Sequence, residues 1–211
     1  MLRSRILVGG LATAAFVGVA GAASAAPQGF VKPPRPNEVR PALPAGQNNP
    51  AIADGVAVGG RVATYTASGL GPKEVDPSAP PGSPERYSEY PAPPPGVTIT
   101  EAQSLNVLKQ ITANLRAQGL TLRDVISMRA YLANAPGAAA ADFAGWNRAY
   151  RQYFANTDLS TGAPVNVPLG TAPPAPPMYV NPARPSRVTL EIENLPVSGW
   201  LVEVEVVAAF R

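Results

Sequence analysis

The chain has 211 residues, a formal net charge of +3, 26 prolines, and neither histidine nor cysteine. Without histidine and cysteine, a Ser-His-Asp triad, a thiol nucleophile, a zinc site of the usual type and disulfides are all excluded. Acid–base chemistry must therefore rely on carboxylates, tyrosines, lysines, backbone groups or water, and anion binding on arginine, lysine or backbone N–H groups.

Proline is concentrated in three windows of the chain. Residues 27–50, 72–95 and 164–185 hold 24 of the 26 prolines. Proline lacks a backbone donor and fixes φ, so these windows cannot supply central strands or helix interiors. The remainder is enough for one small core. We predict one domain at 51–211, with 72–95 and 164–185 as Pro-rich insertions.

The first 25 residues have the form of a secretory signal peptide. A basic start precedes an apolar run, and the triplet Ala23-Ser24-Ala25 resembles a cleavage site. A membrane anchor is the alternative, but the Ala- and Gly-rich run favours export to the periplasm or the exterior, with cleavage after the triplet. The mature chain then has a net charge of +1 and no basic run, so neither nucleic acid nor membrane is an expected partner.

The predicted elements begin after residues 26–50, which are interpreted as a Pro-rich leader or linker. Residues 55–69 contain two short β-rich runs around a Gly-Gly pair, and this pattern predicts a tight hairpin. Thr100 is predicted to cap a first helix, with Gln103 completing a capping box. Gly119 is expected to end that helix.

The second half continues with alternating strand and helix patterns. Residues 124–134 alternate apolar and polar side chains, as in a strand. Residues 138–155 predict a second helix. One face of that helix carries an aromatic stripe, interpreted as core packing, formed by Phe143, Trp146, Tyr150 and Tyr153.

The last part of the chain predicts a pair of strands. In the segment 186–196, Val188, Leu190 and Ile192 alternate with polar residues, which predicts a strand whose apolar set is buried. A turn at 196–199 and a closing strand, WLVEVEVVAAF, complete the order β-β-α-β-α-β-β. Two helices on one face of a single sheet give an α+β fold. The other face of the sheet would need a partner, which indicates an oligomer.

Four blocks of sequence, in this order, resemble the RidA (YjgF) family of enamine/imine deaminases, also labelled L-PSP endoribonuclease-like. They are ADGVAVGGRVATYTASGLGP, TEAQSLNVLKQITANLRAQGLTLRDVISMRAYLAN, DFAGWNRAYRQYF and SRVTLEIENLPVSGWLVEVEVVAAF. The resemblance implies a chorismate-mutase-like α+β fold and a homotrimer with small-molecule clefts between subunits. It also implies hydrolysis of enamines or imines (2-imino acids) to 2-oxo acids and ammonia, without a metal or an organic cofactor.

The resemblance also assigns candidate site residues. Arg187 lies eight residues before the Leu-Pro of the turn, where the family has its substrate-binding arginine, and is preferred to Arg184. A guanidinium presents a planar fork of donors that suits a carboxylate. Glu203 resembles the glutamate that orients the attacking water or relays a proton. Glu205 is the alternative, because the turn here is one residue longer than usual.

Substrate-binding roles are carried over to Ser68, Asn147 and Thr189, the last at a position where many relatives have cysteine. A family tyrosine that closes over the ligand falls at Ile52 here. Its replacements could be the insertion tyrosines Tyr87, Tyr90 and Tyr179.

Three functions compete at this point. A cofactor-free deaminase is preferred, with Arg187 holding the carboxylate. A trimeric binding module for a small carboxylated metabolite is the alternative, and export favours it because the family's substrates arise in the cytoplasm. A ribonuclease has little support, because the chain lacks both histidine and a basic stripe.

Overall fold

The computed structural model describes residues 32–211, so the predicted signal peptide at 1–25 and the start of the leader lie outside the described residues. Residues 33–211 form one compact unit. Its elements are β1 (Val39–Ala42), β2 (Gly55–Val58), β3 (Thr64–Thr66), α1 (Ile99–Ala117), β4 (Val125–Leu132), α2 (Phe143–Tyr153), β5 (Ser186–Glu191) and β6 (Val202–Ala209), with 3-10 turns at Pro84–Tyr87 and Leu122–Asp124. The predicted α+β class, with two helices packed on a sheet, is confirmed.

The main sheet has the strand order β3-β6-β4-β5. Strand β4 is parallel to β5, whereas β6 is antiparallel to both β3 and β4. The predicted hairpin of β2 and β3 is therefore wrong, because β3 pairs with β6 and β2 with β1. The last two strands do not pair with each other either, because β5 pairs with β4. The segment 192–201 is long enough to carry the chain past β4, so β6 can take the centre of the sheet.

The leader contributes a strand that its proline content did not predict. Strand β1 pairs antiparallel with β2, from Val39 opposite Val58 to Ala42 opposite Gly55, in a separate two-stranded ribbon. Pro41 is tolerated there because both strands of a two-stranded ribbon are edge strands, where a missing donor is not fatal. The compact unit accordingly includes residues 33–50.

The helix boundaries differ from their predicted positions by a few residues. Thr98, not Thr100, caps α1, and its hydroxyl accepts a hydrogen bond from the Glu101 N–H at 3.1 Å. Gly119 ends α1 as predicted, with a φ of 74° that suits glycine. Helix α2 is shorter than expected because the Asp142 carboxylate caps it by accepting from the Gly145 N–H at 2.8 Å.

One face of the sheet packs against the helices and forms the core. Buried side chains alternate along β4 and β6, and they are Met128, Ala130, Leu132, Val202, Val204 and Val206. The opposite side, called the open face here, is defined by Arg129, Tyr131, Val188, Leu190, Glu203 and Glu205, which share it by their ladder register.

Strand β5 alternates apolar and polar side chains as predicted, but within one chain its apolar side chains lie on the open face instead of in the core. Val188 and Leu190 are 46% and 45% exposed on the open face. Arg187 and Thr189 point instead to the helix side, because they share the register of Met128 and Ala130 in β4. The prediction that the apolar set of β5 is buried is therefore wrong within one chain.

The two Pro-rich insertions pack over α1. The Asn106 side chain exchanges two hydrogen bonds with the backbone of Lys73, at 3.0 and 2.9 Å. Gln103 donates to the Pro84 carbonyl at 2.9 Å, and the Gly170 N–H of the second insertion donates to Glu101 at 2.9 Å. The insertions thus form an outer layer over the helices and leave the open face uncovered.

Among residues 32–211, neither helix combines the length and the hydropathy needed to cross a bilayer.

Candidate functional site

Arg187 lies at the start of the edge strand β5, with its side chain directed towards α2. Its Nη2 donates to Oδ1 of Asn147 at 2.7 Å. The guanidinium carbon lies 4.2 Å from the ring centre of Tyr150 and 6.0 Å from that of Trp146. Stacking on an aromatic face and a hydrogen bond together hold the guanidinium in one orientation.

The charge of Arg187 has no counter-ion within the part of the chain that the structure describes. No carboxylate of residues 32–211 forms a salt bridge with it. Its Nη1 is buried and has no hydrogen-bond partner among these residues. Burial is the main cause of a lowered pKa for Arg187, and the charge of Arg151 also lowers it. A desolvated guanidinium without an anion is costly, which makes this position a candidate anion site.

Tyr150 gives Arg187 a fixed platform. The Tyr150 hydroxyl donates to the Ala51 carbonyl at 2.9 Å, and its ring stacks on Phe154 with centres 5.3 Å apart. Burial raises the pKa of Tyr150 well above its ordinary value, so the hydroxyl stays neutral. Because both the hydroxyl and one face of the Tyr150 ring are held, the ring is fixed in place. Arg187 stacks on this fixed ring and is therefore pre-oriented.

Two of the other predicted site residues lie beside Arg187. Asn147 is its direct hydrogen-bond partner. Thr189 follows on the same face of β5, and its hydroxyl accepts a hydrogen bond from the Trp146 ring nitrogen at 3.2 Å. Arg187, Asn147, Thr189, Trp146 and Tyr150 together are called the arginine site below.

Ser68 and Glu203 lie elsewhere. Ser68 is exposed and follows β3, where the chain runs beside β6. Its neighbour Gly69 packs against Glu203 so closely that an added Cβ atom would collide with the carboxylate. A second group, near the β3 edge of the sheet and away from β5, thus consists of Ser68, Gly69 and Glu203.

A single chain does not bring the two groups together. Glu203 is level with Tyr131 in β4 and lies on the open face, whereas Arg187 is level with Met128 and faces the helices. With β4 between them and a register offset of three residues, their Cα atoms are roughly 14 Å apart. One substrate could contact both side chains only if a second chain supplied one of them.

The choice between the two glutamates of β6 follows from their contacts. Oε2 of Glu205 lies 3.3 Å from Nη1 of Arg129, and the Tyr131 hydroxyl donates to Oε1 at 3.3 Å. Glu203 makes no hydrogen bond or ion pair with the other described residues. Glu203 is therefore the carboxylate that remains available. Within residues 32–211, no group of three or more acidic side chains is arranged to hold a metal ion.

Arg184, the arginine that was set aside in favour of Arg187, has a different environment. It is 4% exposed and donates to the backbone carbonyls of Pro50 and Pro182 at 2.7 and 2.8 Å. It also donates to the carbonyl of Thr157 and to the Asn49 side chain. These bonds occupy the guanidinium and tie three loops together.

Ile52, at the position where the family tyrosine falls, lies close to the arginine site. The adjacent Ala53 N–H donates to the Pro185 carbonyl at 3.4 Å, immediately before β5. The three insertion tyrosines make no hydrogen bond or ring contact with Arg187 in the described part of the chain, and they are Tyr87, Tyr90 and Tyr179. Among these contacts, no insertion tyrosine therefore supplies the hydroxyl that is lost where Ile52 replaces the family tyrosine.

Sequence reasoning missed the aromatic members of the site. Trp146 and Tyr150 were interpreted as core, and both are indeed fully buried, but their rings also support Arg187. The i, i+3 spacing of Asn147 and Tyr150 places them on one helix face. Once Asn147 had been selected as a site residue, this spacing could have identified Tyr150 as well.

Comparisons with known proteins agree with the family resemblance. The sequence profile of the family described as Endoribonuclease L-PSP matches residues 96–210, more than half of the chain. No curated protein matches the chain significantly.

Several solved structures are similar at low identity. A YjgF-family protein from Neisseria meningitidis is 18% identical, over 84% of this chain and 98% of that chain, with a TM-score of 0.41. A YjgF/YER057c/UK114-family protein from Mycobacterium tuberculosis is 17% identical, over 82% and 100%, with a TM-score of 0.40. TdcF from E. coli, solved with bound serine, is 19% identical, over 82% and 100%, with a TM-score of 0.41. Similarity at this level transfers neither a ligand nor an assembly to this chain.

Proposed function

The chain belongs to the RidA/YjgF family, described by its profile as Endoribonuclease L-PSP, and from this premise we propose that it hydrolyses 2-imino acids to 2-oxo acids and ammonia. Enamines that tautomerise to these imines are included in the proposed substrate class. The single observation that carries the proposal is the orientated guanidinium of Arg187, whose buried Nη1 has no hydrogen-bond partner among residues 32–211. A substrate carboxylate would supply the counter-ion that residues 32–211 do not.

The proposed reaction needs only water as a co-reactant. Water adds to the imine carbon, forming a C–O bond, and one of its protons moves to the nitrogen. The resulting carbinolamine loses its hydroxyl proton, the nitrogen gains a second proton, and the C–N bond breaks to release ammonia and the 2-oxo acid. Arg187 would hold the carboxylate so that the imine carbon stays in place for attack.

We also propose that the working unit is a homotrimer with its sites between subunits. Arg187 and Glu203 do not meet within one chain, so a carboxylate that orients water near Arg187 must come from a neighbouring copy. The open face displays Val188 and Leu190, both nearly half exposed, which is the kind of apolar surface that association covers. In this arrangement the Ser68–Glu203 group of one subunit completes the arginine site of the next.

The activity is tested with an imino acid generated in the assay from alanine by an amino-acid oxidase. We expect wild type to accelerate ammonia release and Arg187→Ala to abolish that acceleration. Arg187→Lys should also be badly impaired, because it keeps the charge and loses the fork. Arg116→Ala, which removes an exposed arginine from the far end of α1, is the matched control. Equal rates with and without wild-type protein would refute the deaminase.

The assembly is tested by light scattering on the mature chain. Wild type should have the mass of a trimer, and Leu190→Glu should dissociate it by placing a charge on the open face. A monomeric wild type that still hydrolyses the imine would contradict the shared site.

A non-catalytic binding module is the second candidate. The observation that favours it is the absence of a water-orienting carboxylate beside Arg187 within residues 32–211 of the same chain. It predicts that 2-oxobutanoate binds in calorimetry, in an Arg187-dependent way, while ammonia release is unchanged by the protein.

We further propose that the chain acts outside the cytoplasm, on the basis of the basic, apolar and small-residue pattern of residues 1–25. Cell fractionation and sequencing of the mature N-terminus test this. An uncleaved chain recovered from the cytoplasm would contradict it.

A further inference from the structure

Three arginines influence the pKa of Tyr150, and one of them, Arg187, contacts its ring. The charges of Arg151, Arg184 and Arg187 all act on the Tyr150 hydroxyl. Burial is the first cause of a lowered pKa for each of the three guanidiniums. None of them forms a salt bridge with the carboxylates of residues 32–211. The described chain thus concentrates positive charge here without ion-pairing it.

Among the three guanidiniums, the nearby Asp158 influences the pKa of Arg184 alone. Its attraction is the last of the influences on the pKa of Arg184. Its Oδ1 already accepts from the N–H groups of Ser160 and Thr161, both at 2.9 Å, and from the Ser160 hydroxyl at 2.5 Å. Arg184 is in turn occupied by backbone carbonyls. The charges left for a ligand are therefore those of Arg151 and Arg187.

Arg151 is placed to act together with Arg187. It follows Asn147 by one helical turn, and side chains at this spacing have Cβ atoms about 6 Å apart. Asn147 is itself bonded to Arg187. The one hydrogen bond of the Arg151 side chain within residues 32–211 goes from Nη2 to Oδ1 of Asn49 at 2.8 Å, and its side chain is partly exposed. The Arg151 side chain therefore starts one helical turn from the partner of Arg187, close enough for its charge to lower the pKa of Arg187.

We infer that the ligand of the arginine site carries two carboxylates, one bound by Arg187 and the other by Arg151. The inference rests on the proposed function and narrows its substrate to 2-imino dicarboxylic acids, such as 2-iminosuccinate or 2-iminoglutarate. A diacid would neutralise both of the available guanidiniums, whereas a monoacid would leave one desolvated charge without an anion. The hydrolysis is the one already written, with the second carboxylate unchanged.

Substrate selectivity provides the test. Imino acids are generated in the assay from aspartate, glutamate and alanine by the corresponding oxidases, and kcat/KM is measured for each. We expect wild type to prefer the diacids. Arg151→Gln removes the charge and the guanidinium fork but keeps a polar side chain, and it should lower the diacid-to-monoacid ratio on the order of 10- to 100-fold. Arg116→Gln is the control and should leave the ratio unchanged.

A binding measurement separates the inference from the proposed activity. Calorimetry with 2-oxoglutarate and 2-oxobutanoate uses stable ligands and needs no turnover. Tighter binding of 2-oxoglutarate that is lost in Arg151→Gln supports the inference, even if no imine is hydrolysed and the deaminase proposal fails. Hydrolysis of the alanine-derived imine with no diacid preference, and with the same ratio in Arg151→Gln, overturns the inference while the deaminase stands. Circular dichroism and Arg151→Lys, which retains the charge and should retain part of the preference, control for misfolding.

Discussion

Arg184 and Arg187 lie three residues apart, yet the regions around them use a guanidinium in opposite ways. Around Arg184, loop carbonyls and an asparagine accept its hydrogen bonds, and the side chain is 4% exposed. Around the partly exposed Arg187, one asparagine and one aromatic face fix the guanidinium, while its buried Nη1 has no partner in the described part of the chain. A cation whose hydrogen bonds are satisfied joins parts of the fold, and one left unsatisfied is available to a ligand.

Replacing Arg184 should have the largest effect, and that effect should be a loss of stability. Arg184→Met leaves several buried carbonyls without a donor, so we expect the free energy of unfolding to fall by about 3 kcal/mol. Urea denaturation of the mature protein measures this, with Arg116→Met as the control. A loss below about 1 kcal/mol would show that the loops do not depend on this arginine.

Replacing Arg187 should affect activity instead of stability. Arg187→Met removes the carboxylate-binding fork, so we expect kcat/KM to fall about 100-fold, equivalent to about 2.7 kcal/mol. The free energy of unfolding should stay the same or rise, because a desolvated charge without an anion is replaced by an apolar side chain. A variant that is destabilised as strongly as Arg184→Met would make the two arginines equivalent.

Removing the hydrogen-bond partner of Arg187 should have a smaller effect, namely a partial loss of activity. Asn147→Ala removes the Nη2 contact and leaves the charge, so we expect about a tenfold loss in kcat/KM. Asn147→Asp provides a second measurement, since it would introduce the counter-ion that is lacking and compete with a substrate carboxylate. An Asn147→Asp variant that retains full activity would contradict the role of an unpaired Arg187.

Removing the hydroxyl of the platform should have the smallest effect. Tyr150→Phe keeps the ring under Arg187 but leaves the Ala51 carbonyl unpaired, and we expect a loss of about 1 kcal/mol in the free energy of unfolding. Tyr179→Phe is the matched control, because the Tyr179 hydroxyl makes no hydrogen bond with the described residues. Equal stability of the two variants would show that the Tyr150 hydroxyl does not anchor the ring.

Sequence patterns predicted the local features of the fold well. Gly119 ends α1, and the alternation from Val125 to Leu132 is a strand, because both depend on residues close in sequence. Strand pairing was predicted wrongly, since it is decided by which strand takes the centre of the sheet. The valines of β6 bury one face against the helices, and no turn signal in the sequence indicates that β4 lies between β5 and β6.

Sequence reasoning identified residues of the candidate site but not how they are arranged in space. Family resemblance singled out Arg187 and Asn147, and they are in contact. It also selected Ser68 and Glu203, which lie far from Arg187 in one chain. Alternation along β5 shows that its two faces differ but not which face meets the helices. The polar face of β5 is turned inward because Asn147 and Trp146 provide partners for it there.

The outer layer formed by the two insertions has a consequence for protein engineering. Glu101, Gln103 and Asn106 are polar residues of α1 whose side chains are bonded to insertion backbone, so α1 is matched to those particular loops. Trimming the first loop would remove the Lys73 and Pro84 backbone groups that Asn106 and Gln103 bind. Trimming the second would remove the Gly170 N–H that Glu101 accepts from, although Glu101 would keep its bond to Arg148. The polar atoms of α1 that lose a partner in this way would need a new one. Any minimised version of the protein would therefore need a redesigned α1 together with its shortened loops.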